Sequence, residues 1–342
     1  MSAKNFISVI CPIYNEKEYI TGCFESILAQ DYPFDLIEVL FIDGISNDNT
    51  REIIMDIAHK YSFVKLLDNP SKIVPFALNI GIIASVGDVI IRMDAHCKYP
   101  VNYFSILIDS LNKLNADNVG GVILTKPANS SAIAKAIAIT MSHPFGVGNS
   151  LFRIGCKKIM QVDTVPFGCF RRTIFDHIGF FDTDLIRNQD DEFNARIIKN
   201  GGTIFLIPDI EIIYYSRDQI SKVGQMFYQY GLFKPLVNKK LGSPASFRQF
   251  VPLLFVSGLF FGTLIGIFIK PVLGLTLVSI LVYISISFGF SLIEIIKHRK
   301  LSLIFLPYIF TIIHISYGFG YLKGILLFLL FKNKHVSLNT NR

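Results

Sequence analysis

Gly87-Asp88-Val89-Ile90-Ile91-Arg92-Met93-Asp94-Ala95-His96-Cys97 reads as a short strand that runs into a loop bearing two metal-ligand side chains. β-Branched residues from Val89 to Ile91 favour extended backbone. Alternate residues at a strand's end point the same way, so Asp94 and His96 face one spot. A carboxylate suits Mg2+ or Mn2+, and an imidazole shifts the preference towards Mn2+. A divalent cation held there would serve to bind a diphosphate. The plainer alternative is an aspartate that closes a turn beside a solvated histidine.

Working outward, apolar runs over 6–10, 37–42, 64–67 and 89–93 have strand character. Helical spacing fills the gaps at 19–30, 50–61 and 75–84. Cys11-Pro12-Ile13-Tyr14-Asn15-Glu16 is expected to turn, and Asp43-Gly44-Ile45-Ser46-Asn47-Asp48-Asn49-Thr50 is a loop rich in helix caps. Strands alternating with helices predict an α/β domain with a parallel, Rossmann-like sheet. Such sheets bind ligands outside the carboxyl ends of their strands, where Asn15, Asp43 and Asp94 all fall. Further on, a helix over 101–114, a strand over 119–124 and a loop over 142–155 are expected. Helices are expected from 173 and over 189–198, then strands over 203–207 and 212–215.

The second part of the chain has a different composition. Of the 342 residues 51% are hydrophobic, and the mean hydropathy is +0.47. Three stretches, 250–269, 272–293 and 303–322, are long and apolar enough to cross a ~30 Å hydrocarbon core. Residues 219–342 hold 13 Lys/Arg and one acid, Glu294, whereas residues 1–218 hold 20 basic and 25 acidic groups. The net charge of +7 therefore belongs to the apolar end. A membrane surface fits that pattern and nucleic acid does not. Residues 219–249, with five Lys/Arg among aromatics, are expected to lie at the membrane interface or to form an exposed linker. The expected division is 1–218 catalytic, 219–249 interfacial, 250–331 membrane helices and 332–342 a basic tail. Met1-Ser2-Ala3-Lys4-Asn5 has no signal-peptide pattern, and five cysteines without CxxC spacing suit a reducing compartment. The positive-inside rule returns Lys297-His298-Arg299-Lys300 to the cytosol after two crossings and mildly disfavours a third, so the third stretch, extended to Phe331, is expected either to cross or to be re-entrant or interfacial.

The chemistry rests on Asn15 and Glu16, Asp43, Asp94 with His96, and Asp190. Asp43 is placed to accept from a nucleobase or ribose. Lys72 either neutralises a phosphate or is a surface charge. Asp190, among the acids of Gln189-Asp190-Asp191-Glu192, is either a general base or part of an acidic helix start favoured by the helix dipole. Neither a P-loop nor a GxGxxG pattern occurs, and Ser142-His143 lacks a nucleophile elbow. Kinase, dehydrogenase and triad-hydrolase chemistry therefore lack their parts.

Ser8-Val9-Ile10-Cys11-Pro12-Ile13-Tyr14-Asn15-Glu16, the Asp43–Thr50 loop and Asp94-Ala95-His96 together resemble the inverting family 2 glycosyltransferases of the GT-A fold. Asp163-Thr164-Val165-Pro166-Phe167-Gly168, Arg171-Arg172, Gly179-Phe180-Phe181-Asp182 and Arg187-Asn188-Gln189-Asp190 bring the resemblance closest to succinoglycan-type, membrane-associated members. That resemblance implies a GT-A domain followed by transmembrane helices. Its reaction would be transfer of one sugar from a nucleotide-sugar, by resemblance a UDP-sugar, to a lipid-linked saccharide, with a divalent cation (Mg2+ or Mn2+). Pro12, Tyr14, Glu16 and Asp43 match nucleoside positions, Asp94 matches the first Asp of the DxD motif, and Asp190 matches the catalytic base. His96 replaces the second Asp of DxD, and Gln189 replaces the Glu before the base. With no Trp the chain cannot carry the QxxRW motif of polymer-extruding synthases. A polyprenyl-phosphate glycosyltransferase, a non-catalytic membrane assembly protein, and association with other polysaccharide-assembly proteins are the further readings of the same residues.

Overall fold

The computed structural model describes residues 5–331; residues 1–4 and the basic tail 332–342 lie outside the described residues. Strands β1 (Ile7–Ile13), β2 (Ile37–Asp43), β3 (Val64–Asp68) and β4 (Val89–Arg92) alternate with helices α1 (Ile20–Leu28), α2 (Thr50–Lys60) and α3 (Val74–Ala84). Then come β5 (Cys97–Lys98), α4 (Tyr103–Lys113), β6 (Asn118–Lys126), α5 (Ala132–Thr140), α6 (Pro144–Val147) and α7 (Leu151–Ile154). β7 (Met160–Gln161), β8 (Cys169–Arg171), α8 (Thr173–Ile178), α9 (Gln189–Lys199) and β9 (Ile204–Tyr215) follow. The chain continues through α10 (Ile220–Leu241), α11 (Phe250–Gly266), α12 (Lys270–His298) and α13 (Leu306–Gly324), with a π-helical turn at Ile325–Leu330.

The sheet runs β3-β2-β1-β4-β8-β6-β9-β5, with β7 added on β9. β1 pairs in parallel with β2 on one side and β4 on the other, so the strand order reverses around β1. Beyond β4 the pairing turns antiparallel, starting with β8. Residue alternation divides the core into two layers. Ile7, Val9, Cys11, Val39 and Phe41 pack towards α1 and α4, while Ile10, Leu40, Ile42 and Ile90 pack towards α3, α8 and α9. Strands buried on both faces explain why the sequence shows continuous apolar runs rather than alternation.

The four parallel strands are tied together by one buried carboxylate. Glu38 on β2 accepts from the Ser8 hydroxyl at 2.7 Å and the Val86 amide at 2.5 Å, and pairs with Lys65 at 3.1 Å. Ser8 in turn accepts from the Gly87 amide at 2.8 Å. Burial raises the Glu38 carboxyl, but these donors outweigh it and leave its pKa below the ordinary value.

By compactness the described residues form two units, one of 5–124 and 151–214, the other of 125–150 and 215–331. Several local expectations change. β1 continues through Pro12 and Ile13, so the expected turn starts only at Tyr14. The strands expected at 203–207 and 212–215 are one strand, β9, because Pro208 and Asp209 interrupt the apolar pattern without bending the backbone out of extension. The loop expected at 142–155 holds the short helices α6 and α7.

Residues 219–249, expected as interfacial or exposed, contain the 22-residue helix α10, which buries Val223, Met226, Leu232, Phe233, Leu236 and Val237. The segment 125–150, expected within the first domain, packs in the second unit instead. Its helix α5 is capped by Ser131, which accepts from the Ala134 amide at 3.1 Å, and buries Ala134, Ala136 and Ile137. In α11, α12 and the stretch around α13, three helices are long and apolar enough to span a membrane.

Candidate active site

The carboxyl ends of β1, β2 and β4 carry the residues that the sequence singles out. Tyr14 and Glu16 follow β1, Asp43 ends β2 opposite Ile13, and Asp94 follows β4 by two residues. Asn15 sits at φ +54°, a left-handed conformation that Asn tolerates better than most residues. It holds the β1 loop against the β2 loop: its amide donates to the Ser46 hydroxyl at 2.8 Å, and its side-chain oxygen accepts from the Asn47 amide at 2.9 Å. The Glu16 amide donates to the Thr50 hydroxyl at 2.9 Å. Asp48 accepts from the Lys17 and Thr50 amides at 3.2 and 3.1 Å. Burial raises the Asp48 carboxyl, and the Thr50 hydroxyl and these amides more than reverse it, so it stays ionised below the ordinary carboxylate range.

Asp43 is fully buried, and its carboxylate is already engaged. It accepts from the Ser46 amide at 3.0 Å and the Ser46 hydroxyl, and pairs with Arg51 at 2.6 Å. Arg51 also reaches Asp68 at 2.8 Å. A carboxylate has about four lone-pair positions, so Asp43 has little left for a ligand. Its structural effect is to shape the 44–50 loop. Lys72, exposed and at φ +59°, stands over the Tyr14 ring at 5.6 Å from its centroid. Pro12 lies within β1, half-buried.

The second group gathers at the end of β4. His96 Nδ1 is paired with the Asp94 carboxylate, and Glu16 Oε1 lies 3.7 Å from the same nitrogen. The His96 ring is flanked by Tyr19 and Tyr214, with centroids at 6.3 and 5.7 Å. The Tyr99 hydroxyl accepts from the Asp94 amide at 2.6 Å and fixes the loop. Asp190 opens α9 after Asn188, whose φ of +63° turns the chain into the helix. Its carboxylate is paired with the guanidinium of Arg92, two residues before Asp94. Arg92 is 8% exposed, lies over the Phe167 ring at 5.6 Å, and has no hydrogen-bond partner at Nε. Burial disfavours its charge, but Asp190 and Asp94 overcome that and hold it protonated. Arg92 and Arg51 are the two residues of this region that sequence reasoning overlooked. For Arg92 the available signal was a cation at the end of a buried strand, which demands a partner; Arg51, on the first turn of α2, carried no such signal.

The metal-ligand expectation can be weighed on the donor set. Among the described residues no group of three or more His, Cys, Asp and Glu side chains is arranged as a metal cage. Mg2+ and Mn2+ sites that serve diphosphates need no such cage, since one or two protein ligands are completed by phosphate oxygens and water. Asp94 with His96, both partly exposed at 16% and 14%, fits that sparse donor set.

The chain matches the Glycosyl transferase family 2 model over residues 8–179. A Methanococcus voltae dolichyl N-acetyl-alpha-D-glucosaminyl phosphate 3-beta-D-2,3-diacetamido-2,3-dideoxy-beta-D-glucuronosyltransferase is 32% identical to it, over 94% of this chain and 98% of that protein. The succinoglycan biosynthesis protein ExoA of Rhizobium meliloti is 28% identical over 76% of this chain and 78% of its own length. The fold is similar to that of the mannosyltransferase PcManGT from Pyrobaculum calidifontis, solved with GDP-Man and Mn2+, with a TM-score of 0.61 at 15% identity. That likeness covers 95% of this chain and 88% of the mannosyltransferase. A GT-A sheet with its carboxylates at the strand ends, a family match across half of the chain and a near full-length relative lead to one conclusion: this chain is a glycosyltransferase and belongs to family 2.

Proposed function

We propose that the enzyme transfers one sugar from a nucleotide-sugar, a UDP-sugar, to a hydroxyl of a lipid-linked saccharide, with inversion at the anomeric carbon. The observation that carries this reading is the Arg92–Asp190 pair beside Asp94. It supports a single pocket in which a donor diphosphate at Asp94 and an acceptor hydroxyl at Asp190 meet. Asp190 takes the proton of the acceptor hydroxyl. The acceptor oxygen then bonds to the anomeric carbon from the side opposite the diphosphate, and the C–O bond to the diphosphate breaks with its electron pair leaving on the phosphate oxygen. Asp94 and His96 would hold a divalent cation, which when bound neutralises charge developing on the leaving diphosphate. Tyr14, Pro12 and Glu16 line the nucleoside side, Asp43 and Arg51 shape its loop, and Lys72 over Tyr14 supplies a cation for phosphate.

The lipid-linked acceptor is supported by the Methanococcus voltae relative, whose name specifies a dolichyl-phosphate-linked sugar and whose likeness extends along nearly the whole chain. The catalytic unit then faces the cytoplasm at the plasma membrane, where nucleotide-sugars are made, and the product enters surface-glycan assembly. The test is a donor panel on purified, lipid-reconstituted protein with mass spectrometry of the lipid product. One sugar added to a lipid-linked saccharide is the expected result. A single sugar on a polyprenyl monophosphate would replace this reading with direct lipid glycosylation. Thorough chelation with EDTA should stop turnover and added Mn2+ or Mg2+ should restore it; unchanged turnover would remove the cation from Asp94 and His96.

A further inference from the structure

The three apolar helices are not equivalent. In their most apolar windows α11 and α12 are only 17% and 11% buried within the protein, whereas the window over α13 is 39% buried. α11 and α12 form an antiparallel hairpin. A side chain at Gly262 would collide with Thr276, Gly266 lies against Leu273, and the rings of Phe255 and Tyr283 stack at 4.6 Å. The hairpin tip is therefore near Lys270; α11 begins at Phe250, and α12 runs on past that level to His298.

α13 does not run alongside this hairpin. As it advances from Gly318 to Tyr321, its partners on α11 retreat from Val256 and Pro252 to Phe250. A helix running parallel to α11 would show the opposite order. On the other arm, Leu303 just before α13 accepts from the Ser291 hydroxyl at 2.8 Å, and His314 meets the Tyr283 hydroxyl at 2.9 Å. Partners on α12 thus retreat from Ser291 to Tyr283 as α13 advances, which is incompatible with running parallel to α12. A path across the hairpin, passing Tyr283 on one arm and Pro252 and Val256 on the other, satisfies both orders. That crossing is also filled by protein: His143 packs on Phe290 and Phe310, and the Phe145 carbonyl meets His314 Nε2 at 2.9 Å.

α10 shares that transverse direction. Gly224 faces Ile312 and Ser316, Gly231 faces the Tyr317 carbonyl, Gly320 the Tyr228 carbonyl, and Gly324 the Leu232 carbonyl. Lys239 Nζ donates to the Phe328 carbonyl at 2.9 Å. The two helices therefore lie in parallel, backbone against backbone, as small residues at such seams permit. α10 bears Lys222, Lys234, Lys239 and Lys240. Standing it upright beside α13 would carry several of these cations through hydrocarbon, at a cost of about 2.5–3.5 kcal/mol each near the centre.

We propose that only the α11–α12 hairpin crosses the bilayer, and that α10 and α13 lie together across it in the lipid headgroup layer. The exposed Lys240 and Lys323 then meet lipid phosphates, while the hairpin carries the apolar, outward-facing sides of α11 and α12 into the hydrocarbon. The consequence is a membrane anchor with two crossings, so that both ends of the α10–α13 layer face one side.

Single cysteines test this in the full-length protein. Ser221→Cys, Phe331→Cys and Lys270→Cys place thiols at the start of α10, just past α13 and at the hairpin tip. Wild type is the blank, since four of its five cysteines are buried and Cys156 is partly so. A membrane-impermeant maleimide should label Ser221→Cys and Phe331→Cys in the same preparation, either intact cells or inside-out vesicles, and Lys270→Cys in the opposite one. Labelling of Phe331→Cys together with Lys270→Cys would make α13 a third crossing and overturn the proposal. Labelling of all three from one side would make the hairpin re-entrant and overturn it equally. Leu330→Cys repeats the α13 measurement if Phe331→Cys does not accumulate in membranes.

Discussion

Asp190 stands on the first turn of α9, where an unrestrained carboxylate would swing between solvent and the helix amides. The Arg92 guanidinium gives it one orientation, and because Arg92 lies at the end of β4, that orientation is referred to the same strand that delivers Asp94. Replacing Asp190 with Asn keeps size and polarity but removes the carboxylate proposed as the base. Transfer should fall by about 10²–10⁴-fold while nucleotide binding, measured by titration calorimetry, survives; full activity would end the base assignment. Arg92 is expected to act by holding Asp190 rather than by touching the donor. Arg92→Met should lower kcat by about 10²-fold with little change in donor KM, as misplacement of a reacting group does. Arg92→Lys should recover only part, since an ammonium lacks the guanidinium's planar fork. A rise in donor KM with kcat intact would instead make Arg92 a diphosphate ligand. This pairing joins residues 98 apart, and no local pattern announces it. Asp94 and Asp190 were singled out from the sequence because family motifs are local; Arg92, which the structure pairs with Asp190, lies in no such motif.

At the scale of elements, Glu38 does for the sheet what Arg92 does for the site. It joins β2 to β1 through Ser8, to β3 through Lys65 and to the entry of β4 through Val86. Its folded pKa is depressed, so its contribution is fully present above the unfolded value of about 4.3 and is lost as pH falls through the lower folded value. Glu38→Gln should cost about 1–3 kcal/mol at neutral pH. It should also flatten the loss of stability below about pH 4 that wild type shows in thermal unfolding; an unchanged acid limb would assign that limb to other carboxylates. The β1–β4 strands and α1–α4 were legible because apolar runs and 3.6-residue spacing are strong there. α10 and α5 were less so, for a physical reason. Lys222, Gln225, Gln229 and Lys234 give α10 an interfacial composition, yet Val223, Met226, Phe233 and Val237 carry a buried face at helical spacing. α5 is a run of Ala and Ile broken by Lys135 alone, too little to mark a polar face, so only its Ser131 cap marks where it begins.

At the scale of the whole molecule, the chain passes between its two compact units three times, at 124–125, 150–151 and 214–215, rather than once at a linker. Charge and hydropathy suggested a single boundary near 218, since both change there; 125–150, with two lysines and no acid, is too short and too weakly charged to register as membrane-associated. Its packing belongs to the second unit all the same. Ala134, Ala136, Ile137 and Met141 are buried, and Phe145 sits among Tyr283, Phe290, Phe310 and His314. A fragment of residues 1–218 would therefore keep the strand-end carboxylates but strip this segment of the helices that cover it, leaving an apolar patch of the kind that drives aggregation. Expressed without detergent, that fragment should aggregate or elute in the void volume on size exclusion. The same fragment with 127–149 replaced by a Gly/Ser linker of equal length should be soluble and monodisperse, since a flexible loop of that length adds little closure cost. It should still bind nucleotide, because the first unit retains the carboxyl ends of β1, β2 and β4. A monodisperse 1–218 fragment would show that 125–150 finds its fold without α12 and α13. In that event the compositional boundary at 218 is also the structural one.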